Sequence, residues 1–130
     1  MFNLNRITLI GHMGADAKVV RNGPTNISLA TNVSWKDKET QERRTRTEWH
    51  HLVLWKGLAT YAAQLPKGTP IYVEGELVYE KYPKTMDVTV DNKTIEVEVT
   101  VTAAKIRVDR LIRLESSQAD SQPDVNDEAY

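Results

Sequence analysis

Thr47-Glu48-Trp49-His50-His51-Leu52-Val53-Leu54-Trp55 reads as a β-strand with two unlike faces. Side chains alternate sides along a strand. Thr47, Trp49, His51, Val53 and Trp55 therefore share one face, and Glu48, His50, Leu52 and Leu54 share the other. The leucine face can fill the inside of a barrel. The other face carries two indoles around a polar imidazole. A core, a subunit interface or a ligand surface are the three settings that accept so many rings.

The same period-two alternation extends to both sides of this strand. Upstream, Thr25 to Trp35 is a strand with Ile27, Leu29, Thr31, Val33 and Trp35 on one face. Lys36 to Arg46 has no apolar residue and reads as an exposed loop between the two strands. Arg6-Ile7-Thr8-Leu9-Ile10 is a first strand, interrupted by Gly11 and Gly14, and Asn22-Gly23-Pro24 is a turn. Glycines inside a strand pattern suggest a bulge or sharp bend. Downstream the period changes. Leu58, Ala59, Ala62 and Leu65 fit a short helix over Gly57 to Gln64, stopped by Pro66-Lys67-Gly68. Thr69 to Tyr82 is a long strand broken at Gly75. Pro83 to Asn92 is polar with turn signals. Thr94 to Leu114 is β-branched and alternating, with a bend expected at Ala103-Ala104.

Five strands with one helix between the third and fourth predict an all-β chain, a five-stranded closed barrel of the OB type. Element order alone does not separate it from other small β-barrels. The barrel domain is expected over residues 1–114. Beyond Leu114 the composition shifts to Ser, Gln, Asp and Asn, so residues 115–130 are expected to be a disordered acidic tail.

The charge divides the same way. The net charge of the 130-residue chain is −1. The segment after Leu114 holds five acids and no Lys or Arg, which leaves a body with 17 basic and 13 acidic residues. A mildly basic body attracts phosphate. The chain has no cysteine, which excludes disulfides and thiolate metal sites and fits a reducing compartment. No apolar run approaches the roughly 20 residues that span a bilayer. The N-terminal residues read as the start of the fold and not as a secretory signal.

Cations interleave with the aromatics. Trp35 precedes Lys36 and Lys38; Arg43, Arg44 and Arg46 precede Trp49; Lys56 follows Trp55; Lys81 and Lys84 flank Tyr82. A single-strand groove uses this combination. Bases stack on rings at about 1–3 kcal/mol each, and cations neutralise phosphates. The candidate nucleic-acid surface is therefore Trp35, Lys36, Arg43, Arg44, Arg46, Trp49, His51, Trp55, Lys56, Lys81, Tyr82 and Lys84, expected on one barrel surface. The one helix has no basic face, which argues against duplex reading through a groove. Enzyme signatures are missing: there is no P-loop, nucleophile elbow or paired-carboxylate motif. His50 and His51 point to opposite faces and cannot share a metal. Neither a metal nor another cofactor is expected.

These residues resemble those of the bacterial-type single-stranded DNA-binding proteins. Asn5 to Gly14 looks like the family's opening strand and Gly-rich bend. Leu29-Ala30-Thr31-Asn32 with Trp35-Lys36-Asp37-Lys38 matches its second strand and exit. Thr47-Glu48-Trp49-His50 is its most recognisable tetrad, and Lys67-Gly68 with Tyr72-Val73-Glu74-Gly75 is similar to its fourth-strand motif. The resemblance implies an OB fold assembled as a homotetramer, with DNA stacked on Trp35, Trp49, Trp55 and Tyr82. It puts His50 and Tyr72 at the subunit interface. It implies a cytoplasmic, nucleoid-associated protein of replication, repair and recombination.

Three departures stand out. Glu76-Leu77-Val78-Tyr79-Glu80 lies where the family usually has cations, which predicts weaker phosphate neutralisation there. The long Gly/Gln/Pro-rich linker is almost absent. The C-terminal tip keeps acids and an aromatic at Asp127, Glu128 and Tyr130, a candidate docking segment for replication or repair proteins, but lacks the family's Asp run and its proline. These departures support a second reading, an OB paralogue that binds a replication-restart partner and DNA only weakly.

Overall fold

The computed structural model describes residues 1–114. Its elements are β1 (Ile7–Met13), β2 (Lys18–Val19), β3 (Thr25–Lys36), β4 (Arg43–Leu54), α1 (Lys56–Ala62), β5 (Pro70–Val90) and β6 (Lys93–Arg113). The five long strands close on themselves. β1 runs antiparallel to β5, from Ile7 opposite Gly75 to His12 opposite Pro70. β5 pairs antiparallel with β6, and β6 pairs parallel with β4 at Leu52 opposite Ile106. β4 pairs antiparallel with β3, which returns to β1 at His12 opposite Ala30 and Met13 opposite Leu29. This is the expected five-stranded OB-type barrel, with one short helix between the third and fourth long strands.

The alternation explains the core. Ile27 and Leu29 of β3, Leu52 and Leu54 of β4, Ile71 and Val73 of β5, and Ile106 and Val108 of β6 all point inward and are buried. Met13, Ala62 and Leu65 join the same cluster, so α1 and the turn after it cover part of the barrel. Thr25 is buried there without cost, because its hydroxyl donates to the Ala59 carbonyl at 2.8 Å. At Gly75 the β5–β6 register shifts. A Cβ there would stand 2.3 Å from the Arg107 carbonyl oxygen, so the bulge needs glycine for close backbone approach.

Several local expectations change. The exposed loop shrinks to 37–42, because Arg43 to Arg46 pair with Val33 to Lys36 and lengthen the β3–β4 hairpin. Such a ribbon is polar on both sides, so it shows no hydrophobic alternation to read. Pro83 to Asn92 is mostly strand. Only Asp91 and Asn92 turn, both with positive φ (52° and 65°), as a two-residue hairpin loop requires. Pro83 is tolerated because this stretch of β5 pairs with β6 alone, leaving its other edge free. The bend at Ala103-Ala104 does not occur; β6 passes straight through to Arg113. A two-residue strand, β2, pairs with the start of β3 and had no signal of its own. The helix begins and ends slightly earlier than Gly57 to Gln64.

Candidate nucleic-acid interface

Strand register sorts the aromatic residues. On the outer side of the β3–β4 hairpin stand Ala30 opposite Trp49, Ser28 opposite His51, and Asn26 opposite Val53. On the inner side stand Leu29 opposite His50 and Ile27 opposite Leu52. Trp49 is 60% exposed whereas Leu52 is fully buried, as face alternation requires. Trp35 shares its row with Ile27 and Leu29 and faces Arg44. It is exposed because the hairpin runs on past the buried part of that row. Trp35 and Trp49 thus lie on alternate sides of one twisted ribbon, which corrects the expectation of a single surface for all the rings.

Trp49 forms one wall of a groove of about 830 Å³. Gly14 forms part of the neighbouring wall. A Cβ on Gly14 would come within 2.3 Å of the indole's Cζ3, so only glycine lets the β1–β2 turn pass beside the ring. Its backbone N–H is held by the Ser28 carbonyl at 2.9 Å. Lys18 of β2 and Lys105 of β6 also line the groove, with Asn26, Ser28 and His51. His51 Nε2 lies 2.9 Å from Asn26 Oδ1. Burial, with Lys105 second, holds the His51 pKa below the ordinary histidine value, against a smaller upward pull from Glu80. Lys18, Lys105, Asn26 and Gly14 carried no binding signal in the sequence. They come from four different segments, and only barrel closure assembles them.

The outer surface continues onto the long β5–β6 arm. Glu80, Tyr82, Lys84, Met86 and Val88 stand opposite Ala103, Val101, Val99, Val97 and Ile95 on one side. Lys81, Asp87, Glu96 and Glu98 take the other. Tyr82 and Lys84 therefore share the apolar side, and Lys81 does not. Trp55 is exposed at the N-cap of α1. Lys56 follows it with a φ of 55°, the left-handed region that costs a non-glycine residue about 1–2 kcal/mol. Lys56→Gly is expected to raise stability by up to about 1 kcal/mol, after allowing for the freer unfolded chain. A thermal melt of the variant checks this, and a lowered midpoint would mean that the lysine stem makes compensating contacts.

Ion pairing divides the candidate cations. Arg44 Nε donates to Asp37 Oδ2 at 2.8 Å, and Arg46 pairs with Glu48 at 3.1 Å. The backbone N–H groups of Glu39 and Thr40, together with Arg44, hold the Asp37 carboxyl below the usual carboxylate range. Lys36, Arg43, Lys56, Lys81 and Lys84 make no ion pair among the described residues. The acidic segment of β5 is also matched. Lys105 donates to Glu80 at 2.8 Å, and Arg107 pairs with Glu76. The expected local deficit of positive charge is thus offset by β6, across the sheet.

The two expected interface residues sit apart. His50 is half-buried on the inner row, with Nε2 2.9 Å from the Thr31 hydroxyl. Tyr72 lies between Ile10 and Ile112 on the outer side of the β1–β5–β6 sheet and donates to Glu74, which raises the Tyr72 pKa. Asp127, Glu128 and Tyr130 lie outside the described residues. Among the described residues no group of His, Asp and Glu could hold a metal ion, and no helix is long and apolar enough to cross a membrane.

A closed barrel of this topology, with an exposed indole between lysines on its outer face, defines a protein of the oligonucleotide-binding class. The chain belongs to the single-strand binding protein family, whose model matches residues 4–119. Family membership makes it a binding protein and not an enzyme. It is similar to the SSB of Plasmodium falciparum solved in complex with ssDNA, at 28% identity and a TM-score of 0.64, covering 88% of this chain and 98% of that one. It shares its fold with a deletion mutant of the single-stranded DNA binding protein from Thermus aquaticus, at 24% identity and a TM-score of 0.60. That match covers 88% of this chain and 52% of the other.

Proposed function

We infer that this protein binds single-stranded DNA by base stacking and phosphate neutralisation, without sequence-specific contacts, and so protects and organises it in replication, repair and recombination. The carrying observation is the groove beside Trp49, where an exposed indole stands between Lys18 and Lys105. The strand runs from this groove toward Tyr82 and Lys84 on the same side of the arm. Trp35, with Lys36 and Arg43, serves a segment that crosses to the other side of the β3–β4 ribbon. Trp55 and Lys56 extend the path at the start of α1. Arg44 and Arg46 exchange their carboxylate partners for phosphates, which costs part of their attraction. The relative solved with ssDNA supports this reading.

The assembly is a homotetramer in the same reading. Its support is the unpartnered row of Ile10, Tyr72 and Ile112 on the outer β1–β5–β6 sheet. The acidic tip at Asp127, Glu128 and Tyr130 recruits replication or repair proteins, and the protein works in the cytoplasm, on the nucleoid. The reading as a weak DNA binder specialised for a protein partner loses its main support, because Glu76 and Glu80 are paired with cations.

Titrating the full chain with oligo-dT at two salt concentrations tests the function. Tryptophan emission is expected to be quenched at low salt and less so at high salt. Absence of quenching at low salt would overturn it. Light scattering on the same sample reads the assembly state.

A further inference from the structure

Stacking and phosphate neutralisation leave one pair in the Trp49 groove unused. Asn26 and His51 line it on the same side as Trp49. His51 is two residues from Trp49 on one strand face, about 7 Å along the strand. Both therefore stand where the edge of a base stacked on Trp49 falls. His51 Nε2 donates to Asn26 Oδ1 at 2.9 Å. This leaves a lone pair on His51 Nδ1 and two donors on Asn26 Nδ2, with no hydrogen-bond partner for either atom among the described residues.

We propose that Asn26 and His51 read the edge of the base stacked on Trp49 and favour the keto-imide edge of thymine, uracil or guanine over the amino edge of cytosine or adenine. The proposal rests on the reading of Trp49 as a stacking platform. A keto-imide edge places an N–H beside a carbonyl. The N–H donates to His51 Nδ1, and the carbonyl accepts from Asn26 Nδ2. Cytosine and adenine place a bare ring nitrogen beside an amino group, so their lone pair would face the Nδ1 lone pair. The opposite amide and ring arrangement would turn an N–H of His51 toward the groove. Lys18 and Lys105 make the groove positive, which favours a lone pair there over an N–H.

The pair also needs a neutral imidazole. The groups facing His51 are Lys105 from β6, Glu80 from β5, Lys18 from β2 and Asn26 from β3. Burial and the lysines keep it neutral to lower pH than an ordinary histidine. Acidification adds a proton to Nδ1 and removes the acceptor, so base preference shrinks as pH falls below the ordinary histidine range.

Oligo-dU and oligo-dC of one length provide the test, since the two bases differ only at this edge. The wild-type chain at pH 7.5 is expected to bind dU roughly fivefold tighter than dC, on the order of one net hydrogen bond. Asn26→Ala and His51→Ala should each bring the ratio to about one while quenching by both oligomers persists. Equal binding by the wild-type chain, tighter binding of dC, or a ratio that survives both substitutions would overturn the proposal. If a variant fails to fold, the wild-type ratio followed from pH 7.5 to 5.5 still decides: a constant ratio overturns it. Quenching with a ratio of one defeats the edge reader alone. Unaltered affinity in Trp49→Ala defeats the stacking reading beneath it.

Discussion

Trp49→Ala is expected to weaken single-strand binding by about 1–3 kcal/mol, roughly 5- to 150-fold in Kd, with the fold intact. The indole is 60% exposed, so its removal opens no cavity in the core. Thermal stability should stay within the narrow range of ordinary surface substitutions, about 0.5 kcal/mol. The salt dependence separates this effect from a lost phosphate contact. Lys18 and Lys105 remain in the groove, so the slope of log affinity against log salt should be unchanged while the whole line drops. Removing a lysine that contacts phosphate would instead flatten the slope by about 0.7. Titration at several salt concentrations checks both. An unchanged affinity would remove Trp49 from the path of the DNA.

Leu52→Ala is expected to act in the opposite way, on stability and only through it on binding. Leu52 is fully buried at the centre of β4, opposite Ile27 on one side and Ile106 on the other. The site therefore ties the antiparallel β3–β4 pairing to the single parallel pairing of the barrel. Its neighbours belong to three strands of a closed ring and cannot collapse into the space. The expected loss is about 2–5 kcal/mol. That lowers the melting midpoint by roughly 10–20 °C for a domain of this size. Saturating single-stranded DNA should recover part of the loss, because ligand binds only the folded form. A melt within about 2 °C of wild type would mean that the β4–β6 seam repacks freely.

The strand content was legible because the barrel is half solvated. Each strand that crosses it must alternate, as Ile27-Leu29 and Leu52-Leu54 do. Where both sides face solvent, the signal vanished. Arg43 to Arg46 and Thr85 to Thr89 are strands by pairing alone, and their composition matches that of loops. The Asp91-Asn92 turn was one of several candidate turns, and only the β5–β6 register selected it. In the site, the aromatic residues were visible because exposed rings on a polar strand face are uneconomical unless something covers them. Lys18, Lys105 and Asn26 were not visible, since a lone lysine or asparagine looks like any other surface residue.

The stretch from Thr47 to Trp55 by itself determined which face enters the barrel and that Trp49 and His51 share the other. Alternation is a local property of an extended backbone, so it needs no tertiary knowledge. What only the tertiary structure decided was which residues meet Trp49, which cations are already paired, and that Trp35 lies across the ribbon from it. Those facts depend on strand register and ring closure between segments far apart in the chain. Nothing in the local sequence encodes the distance between Lys105 and His51; the parallel pairing of β4 with β6 creates it.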